Sequence, residues 1–375
     1  MTTRRALLAG LLVAVGWAAG PVRPVGLDVA VTALPARLSD QQFWRLISQF
    51  SEQGGTFHSE NFVSNEGRFQ FVLPDLERRT TPGGLYIGVG PEQNFTYIAT
   101  VRPRMAFIID IRRGNLREQL LYKALMEMSP DRASFLARLF SRERPAGLTT
   151  DTSVQDLFAA YDALPATDAN YRRNLAAVIE WLTTKRRLPL SDEDVAGIDH
   201  IYRTAFFVDG PDLGYRLTGQ GRNSQHPTYA YLMSMDDGEG RQRSYLATEA
   251  NYRFLKDLQT RNLIVPVVGD FGGPRALPAI AKYARDAGTI ISAFYLSNVE
   301  QYLMNDGTWR TFCATVSSMP LDGSSTFIRS RVNGRGLSGP LPFAGLGMFW
   351  SGLGSMEAET GGCATGAAPG FLPSF

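Results

Sequence analysis

Cysteine and histidine are scarce in this 375-residue chain, with two of the first and three of the second. Cys313 and Cys363 stand fifty residues apart, a spacing that makes no disulfide framework and offers no thiolate set for zinc. His58, His200 and His226 are too scattered to suggest a metal site. No sign of charge dominates either. Lys plus Arg number 38 against 36 for Asp plus Glu, and a net charge of +2 gives no whole-protein field to attract nucleic acid or anionic lipid. The chain also lacks a Gly-x-Ser-x-Gly elbow, a Gly-Lys-Ser/Thr phosphate loop and a His-Glu-x-x-His pair, so the common hydrolase and nucleotidase signatures are silent. Asp270-Phe271-Gly272 matches a string found in protein kinases, but no catalytic-loop string or strand lysine accompanies it, which excludes that reading.

What is present suits a globular protein: 44% of residues are hydrophobic and 11% aromatic, enough for one large domain or two ordinary ones. Arg4 and Arg5 precede the apolar run Ala6 to Ala19, small residues and Pro21, the layout of a twin-arginine signal peptide over residues 1–20. That run is short for a membrane span, which needs roughly 20 residues. Export, to the periplasm, with no stable span once the signal is removed is therefore expected. An uncleaved anchor, or a cytoplasmic protein with a misassigned start, are the alternatives.

Residues 21–128 read as an N-terminal helix, capped by Ser39-Asp40 and running through Gln49, followed by the first half of an α/β domain. Leu85-Tyr86-Ile87 is an apolar run stopped by Gly88-Val89-Gly90, Phe95 to Thr100 forms the first turns of a helix, and Met105 to Ile111 is a second buried strand. Runs apolar on both faces suit a parallel sheet covered by helices. Residues 129–260 are mostly helical in pattern, a cap or insertion. The sheet signal returns over 261–333, with strands at Leu263–Val268, Thr289–Leu296 and Thr326–Val332 and helices at Leu277–Ala287 and Trp309–Ser317. Residues 334–375 are dominated by Gly, Pro, Ser and Ala and read as a loose tail.

Four groups of residues are candidates for chemistry. Gly88, Val89 and Gly90, with Glu92 and Asn94 just beyond, form a turn in which glycines let a ligand approach the strand's carboxyl end and the next helix's N-terminus. Asp110, twenty residues past Gly90 at the end of the next strand, is placed to take both hydroxyls of a ribose. In Asp110-Ile111-Arg112-Arg113, the arginines either clamp an anion by planar bidentate bonds or are solvated. Asp270 and Phe271, flanked by glycines at a strand end, fit a ligand site at the sheet edge or a turn that caps the next helix. The polar segment Phe57 to Glu66 carries His58 and could fold over the crevice, and Asn298 and Tyr302 follow the fourth strand.

These elements resemble class I S-adenosylmethionine-dependent methyltransferases over residues 85–128 and 263–303. The resemblance implies a Rossmann-like α/β fold, with S-adenosylmethionine held by Gly88, Val89, Gly90, Glu92, Asn94, Asp110, Arg112, Asp270 and Phe271, and a methyl acceptor near Asn298, Tyr302 and His58. Tyr86 stands where that family commonly places an acid facing the methionine amino group, and Glu92 where many members have a third glycine. Glu92 either supplies the missing carboxylate or obstructs the cofactor. About 150 residues, instead of a short link, separate the second and third strands. The chain also resembles an uncharacterised bacterial family carrying Gly88–Tyr97 (GVGPEQNFTY) followed by Asp110–Asn115 (DIRRGN). S-adenosylmethionine is kept in the cytoplasm, whereas the N-terminus argues for export. Two readings stand: a methyltransferase, or an exported binding protein that reuses the fold for a small polar ligand or an envelope partner.

Overall fold

The N-terminal helix α1 (Asp40–Phe50) starts where its chemistry dictates. Ser39 accepts the Gln42 backbone N–H while the Gln42 side chain accepts the Ser39 N–H, a reciprocal capping box. In the computed structural model, which describes residues 33–219, 226–332 and 349–363, this helix leads into α2 (Leu73–Arg79) and then the sheet. The signal-like residues 1–20 lie outside the described residues.

Six strands form one sheet: β1 (Leu85–Val89), β2 (Met105–Asp110), β3 (Ile264–Val268), β4 (Ile291–Ser297), β5 (Thr326–Val332) and β6 (Phe349–Ser355). Their order is β3-β2-β1-β4-β5-β6, parallel throughout except for β6, which pairs antiparallel with β5. β2 and β3 are buried along their whole lengths, as expected of parallel strands covered on both faces. On one face the Phe107 ring of β2 lies 5.7 Å from Phe50 of α1 and 5.6 Å from Tyr283 of α11 (Ala276–Asp286). On the other, Tyr295 of β4 packs 5.0 Å from Tyr97 of α3 (Gln93–Val101). Helices α12 (Val299–Asn305) and α13 (Trp309–Ser317) link β4 to β5.

Between β2 and β3 run α4 (Arg113–Met128), α5 (Arg132–Leu139), α6 (Val154–Asp162), α7 (Asp168–Glu180), α8 (Asp192–Ile201), α9 (Tyr229–Ser234) and α10 (Glu249–Thr260). This insertion shares the core with the sheet, and Val31–Phe375 form one compact unit. An ionic knot joins the parts. Lys123 of α4, 1% exposed, lies 2.7 Å from Glu127, whose other oxygen accepts from Trp181 Nε1 at 2.6 Å and Arg186 Nε at 2.8 Å. Arg186 also reaches Asp40 at the start of α1. Burial pulls the Lys123 ammonium down to about 8 against the opposing pull of Glu127.

Two expectations change. Within the stretch read as a loose tail, residues 349–363 form β6 and α14 (Met356–Cys363). Composition hid this strand because Gly352 and Gly354 lack the β-branched signature, and pairing to β5 supplies what local propensity does not. Cys313 on α13 is disulfide-bonded, although cysteine spacing alone argues against stapling. No helix among the described residues is long and apolar enough to cross a membrane. The Glu127→Ala variant, which strands the buried Lys123 charge, is expected to lose about 3–5 kcal/mol in urea unfolding.

Candidate functional site

The strand order reverses between β1 and β4, and in open α/β sheets a crevice forms outside the carboxyl ends of the strands at such a switch point. Here that crevice is a cavity of about 450 Å³, bounded by the ends of β1 to β4. From the residues expected at a ligand site it gathers Val89, Gly90, Asp110 and Arg112, then Asp270, Phe271, Asn298, Tyr302 and His58. Gly88, Glu92 and Asn94 do not line it.

The loop after β1 is held from beneath. Asn94 Nδ2 donates to the carbonyls of Val89 (2.8 Å), Gly90 (3.2 Å) and Pro91 (2.8 Å), and its Oδ1 accepts from the Tyr86 hydroxyl at 2.9 Å. Gly88 leaves room for this amide: a Cβ there would stand 1.9 Å from Asn94 Oδ1. Gly90 has φ +80°, a backbone state that favours glycine, and a Cβ would meet only Asn61, 3.5 Å away. Tyr86 is thus a buried prop for the loop.

Asp110 and Arg112 satisfy each other. Arg112 Nε donates to Oδ1 at 3.0 Å and Nη2 to Oδ2 at 2.7 Å, while the Arg112 backbone N–H adds a 2.8 Å bond to Oδ1. Nη1 donates to the Glu60 carbonyl and so ties the covering segment to the end of β2. Burial works against the guanidinium charge, but Asp110 outweighs it and raises the Arg112 pKa. Arg113 points elsewhere, to a bidentate pair with Asp194 of α8 at 2.8 and 2.7 Å.

Asp270 Oδ1 accepts from the Gly272 N–H at 2.8 Å, a local Asx turn. The N-terminus of α11 is capped instead by Glu52, whose Oε1 accepts from Arg275 and Ala276 at 2.8 and 2.6 Å. Phe271 lines the cavity and packs 5.0 Å from Phe294. The segment from Thr56 to Asn65 forms one wall, latched to the insertion by a Thr218 N–H to His58 carbonyl bond of 2.9 Å and a Ser59 hydroxyl to Arg216 carbonyl bond of 2.6 Å. Tyr215, Leu217 and His226 of the insertion complete that wall.

Two buried acid clusters lie behind the walls. Glu66, 1% exposed, accepts from Tyr295 (2.6 Å) and Ser297 (3.0 Å) on one oxygen, and from Ser351 (2.7 Å) and Gln93 (3.2 Å) on the other. Tyr295 and Ser297 line the cavity, so this carboxylate lies just beneath its floor. Burial and the nearby Glu66 charge hold the Tyr295 phenol well above its ordinary range. The polar string Ser64-Asn65-Glu66 was the sequence signal, but the four donors come from three other elements and could not be read locally.

Glu92 is fully buried and accepts the Ser64 N–H at 3.3 Å, so it neither supplies a carboxylate to the cavity nor obstructs it. Burial pushes it up to about 8, against bonds from the Ser64 and Glu92 backbone. Glu118 of α4, also fully buried with both oxygens unpartnered, is pushed well up by burial; Arg112 opposes this, and Glu92 and Asp110 add to it. Among the described residues no group of three or more His, Cys, Asp or Glu side chains could hold a metal.

A six-stranded, mostly parallel α/β sheet with its cavity at the carboxyl edge defines the class of protein. Its particular family follows from a match of residues 61–189 and 220–340, two-thirds of the chain, to a domain of unknown function, DUF7790; the chain belongs to that family. The match takes in the Gly88–Gly90 loop, Asp110, Asp270, Asn298 and Tyr302. No curated protein matches the chain.

The Glu92 carboxyl keeps its proton in the native state up to about pH 8, whereas the unfolded chain releases it near 4.5. Between those values stability falls as pH rises, by up to about 1.4 kcal/mol per pH unit from this group. Glu92→Gln should make that decline shallower, as read by urea unfolding at pH 5, 6, 7 and 8; an unchanged slope would show that Glu92 is ionised in the native state.

Proposed function

We propose that this protein is a Rossmann-like, methyltransferase-like ligand binder that holds S-adenosylmethionine or a related nucleoside in the cavity at the carboxyl edge of its sheet. One observation carries the reading. Gly90, Asp110 and Asp270, which stand at or just past the ends of three different strands and are spread over 180 residues, line a single cavity at the β1/β4 switch point. Its volume falls in the about 300–1,000 Å³ usual for small-molecule sites.

The residues fit a nucleoside. The positive-φ Gly90 with open space beside it admits a close backbone approach. Asp110 sits where ribose hydroxyls would arrive, and although Arg112 takes both lone pairs of Oδ1 through its Nε and backbone N–H, Oδ2 accepts only one bond from it and keeps a second lone pair for a hydroxyl donor. Asp270 and Phe271 would face the base. When bound, S-adenosylmethionine supplies an electrophilic methyl group. The chain's own task is then to exclude water and orient an acceptor beside Asn298, Tyr302 and His58, a positioning role that needs no nucleophile from the protein.

A second reading, an exported protein that binds a small polar ligand without catalysis, draws support from the disulfide at Cys313 and the signal-like residues 1–20. Disulfides persist in oxidising compartments. Fractionation of the tagged full-length chain, with alkylation of free thiols before reduction, separates the two: export predicts envelope localisation with Cys313 unalkylated. Cytoplasmic protein with alkylated Cys313 would defeat it.

For the nucleoside reading, S-adenosylmethionine at a hundred times its dissociation constant should stabilise the full chain by about 2.7 kcal/mol. Asp110→Ala should abolish the shift in thermal unfolding. An absence of any shift at millimolar S-adenosylmethionine would sink the reading.

A further inference from the structure

The cavity's charges do not balance. Among the described residues Arg112 is the only Lys or Arg on its wall, and Asp110 neutralises it through the bidentate pair. Asp270 and Asp306 also line the cavity, and neither they nor Glu66 beneath its floor forms an ion pair among the described residues. The donors to Glu66 are two serines, a tyrosine and a glutamine, which stabilise its charge without cancelling it. A buried carboxylate is weakly screened, so its field extends into the cavity. His226, partly buried, has its pKa lowered by desolvation and adds no positive charge at neutral pH.

The same wall is rich in aromatic rings. Phe57 and Tyr302 meet edge to face at 5.7 Å, and Tyr215 stands close enough to Tyr302 to act on its hydroxyl electrostatically. These rings come from three separate elements: the covering segment, the insertion and α12. Asp306 follows Tyr302 by one helical turn, its N–H bonded to the Tyr302 carbonyl at 2.8 Å, which puts both side chains on one side of α12. Tyr302 is 36% exposed, and among the described residues no Arg or Lys covers the Phe57, Tyr215 or Tyr302 rings, although six such contacts occur elsewhere in the fold.

We propose that the mouth of this cavity, between Phe57, Tyr215, Tyr302 and Asp306, binds an organic cation, an alkylammonium group carried by the small molecule that the site accepts. Aromatic faces attract a cation through their quadrupoles, most strongly when it is desolvated, and the uncompensated Asp270, Asp306 and Glu66 add a monopole of the same preference. Anionic ligands face the opposite field. The inference deepens the small-molecule reading by naming the charge of the ligand next to the nucleoside position, and it rests on the cavity being a ligand site.

The test uses two cations and neutral isosteres of equal heavy-atom count on the full-length protein, at constant ionic strength, by calorimetric titration. Choline is compared with 3,3-dimethylbutan-1-ol, and n-butylammonium with 1-butanol, in which a hydroxyl replaces the ammonium. At least one cation should bind about tenfold more tightly than its isostere. Asp306→Asn should weaken that binding several-fold, Tyr302→Ala should do the same, and Tyr302→Phe should retain it. Equal affinity for cation and isostere, tighter binding of 3,3-dimethylbutanoate than of choline, or no binding of either cation at 50 mM would each overturn the proposal. The Asp110→Ala variant separates it from the nucleoside reading. Cation binding that survives in a protein indifferent to S-adenosylmethionine leaves this proposal standing and removes the other, and the reverse pattern removes this one alone.

Discussion

The bidentate bridge between Asp110 and Arg112 is the contact on which the shape of the site depends. It lies just past the end of β2, where the chain leaves the sheet for the insertion, and through Arg112 Nη1 it holds the carbonyl of Glu60 on the covering segment. A charge pair this deeply buried is weak evidence of stability in itself, because desolvation offsets much of the Coulomb attraction. Its geometric effect is larger. With the arginine fork fixed, segment 56–65 stays across the carboxyl edge, and a sheet edge becomes an enclosed cavity.

Around that bridge, carboxylates take two different solutions to burial. Glu66 has both oxygens satisfied by four neutral donors, with no cation beside it. Glu92, with backbone donors alone and one oxygen unpartnered, and Glu118, with both oxygens unpartnered, are instead pushed by burial toward the protonated form. The difference sorts the acids near the site into those that shape its field and those that do not. It also explains how a cavity bordered by an arginine has no positive character.

The insertion contributes to the same site rather than standing apart from it. Glu127 and Lys123 on α4 tie it to Arg186 and through that residue to α1, while Tyr215 and His226 reach the cavity wall. A helical cap so stitched to the core can shape ligand selectivity directly, since its aromatic side chains face the ligand space.

Much of the framework was legible from sequence. The apolar runs at Leu85 and Met105, the cap at Ser39, and the glycines at 88 and 90 act locally, through burial periodicity, side-chain to backbone bonds and φ preference, so composition and spacing reveal them. The strand β6 was hidden, because its stability comes from pairing with β5 and not from its own Gly-rich residues. The same holds for the site: Asp110 and Asp270 were recognisable by position, but the engagement of Asp110 by Arg112, the inward burial of Glu92 and the arrival of Tyr215 and Asp306 depend on contacts between residues far apart in the chain. Sequence alone determined which strands end in acids and where the backbone must turn. Only tertiary structure decided which acids keep an unbalanced charge facing the cavity, because that depends on which donors folding brings within hydrogen-bond reach.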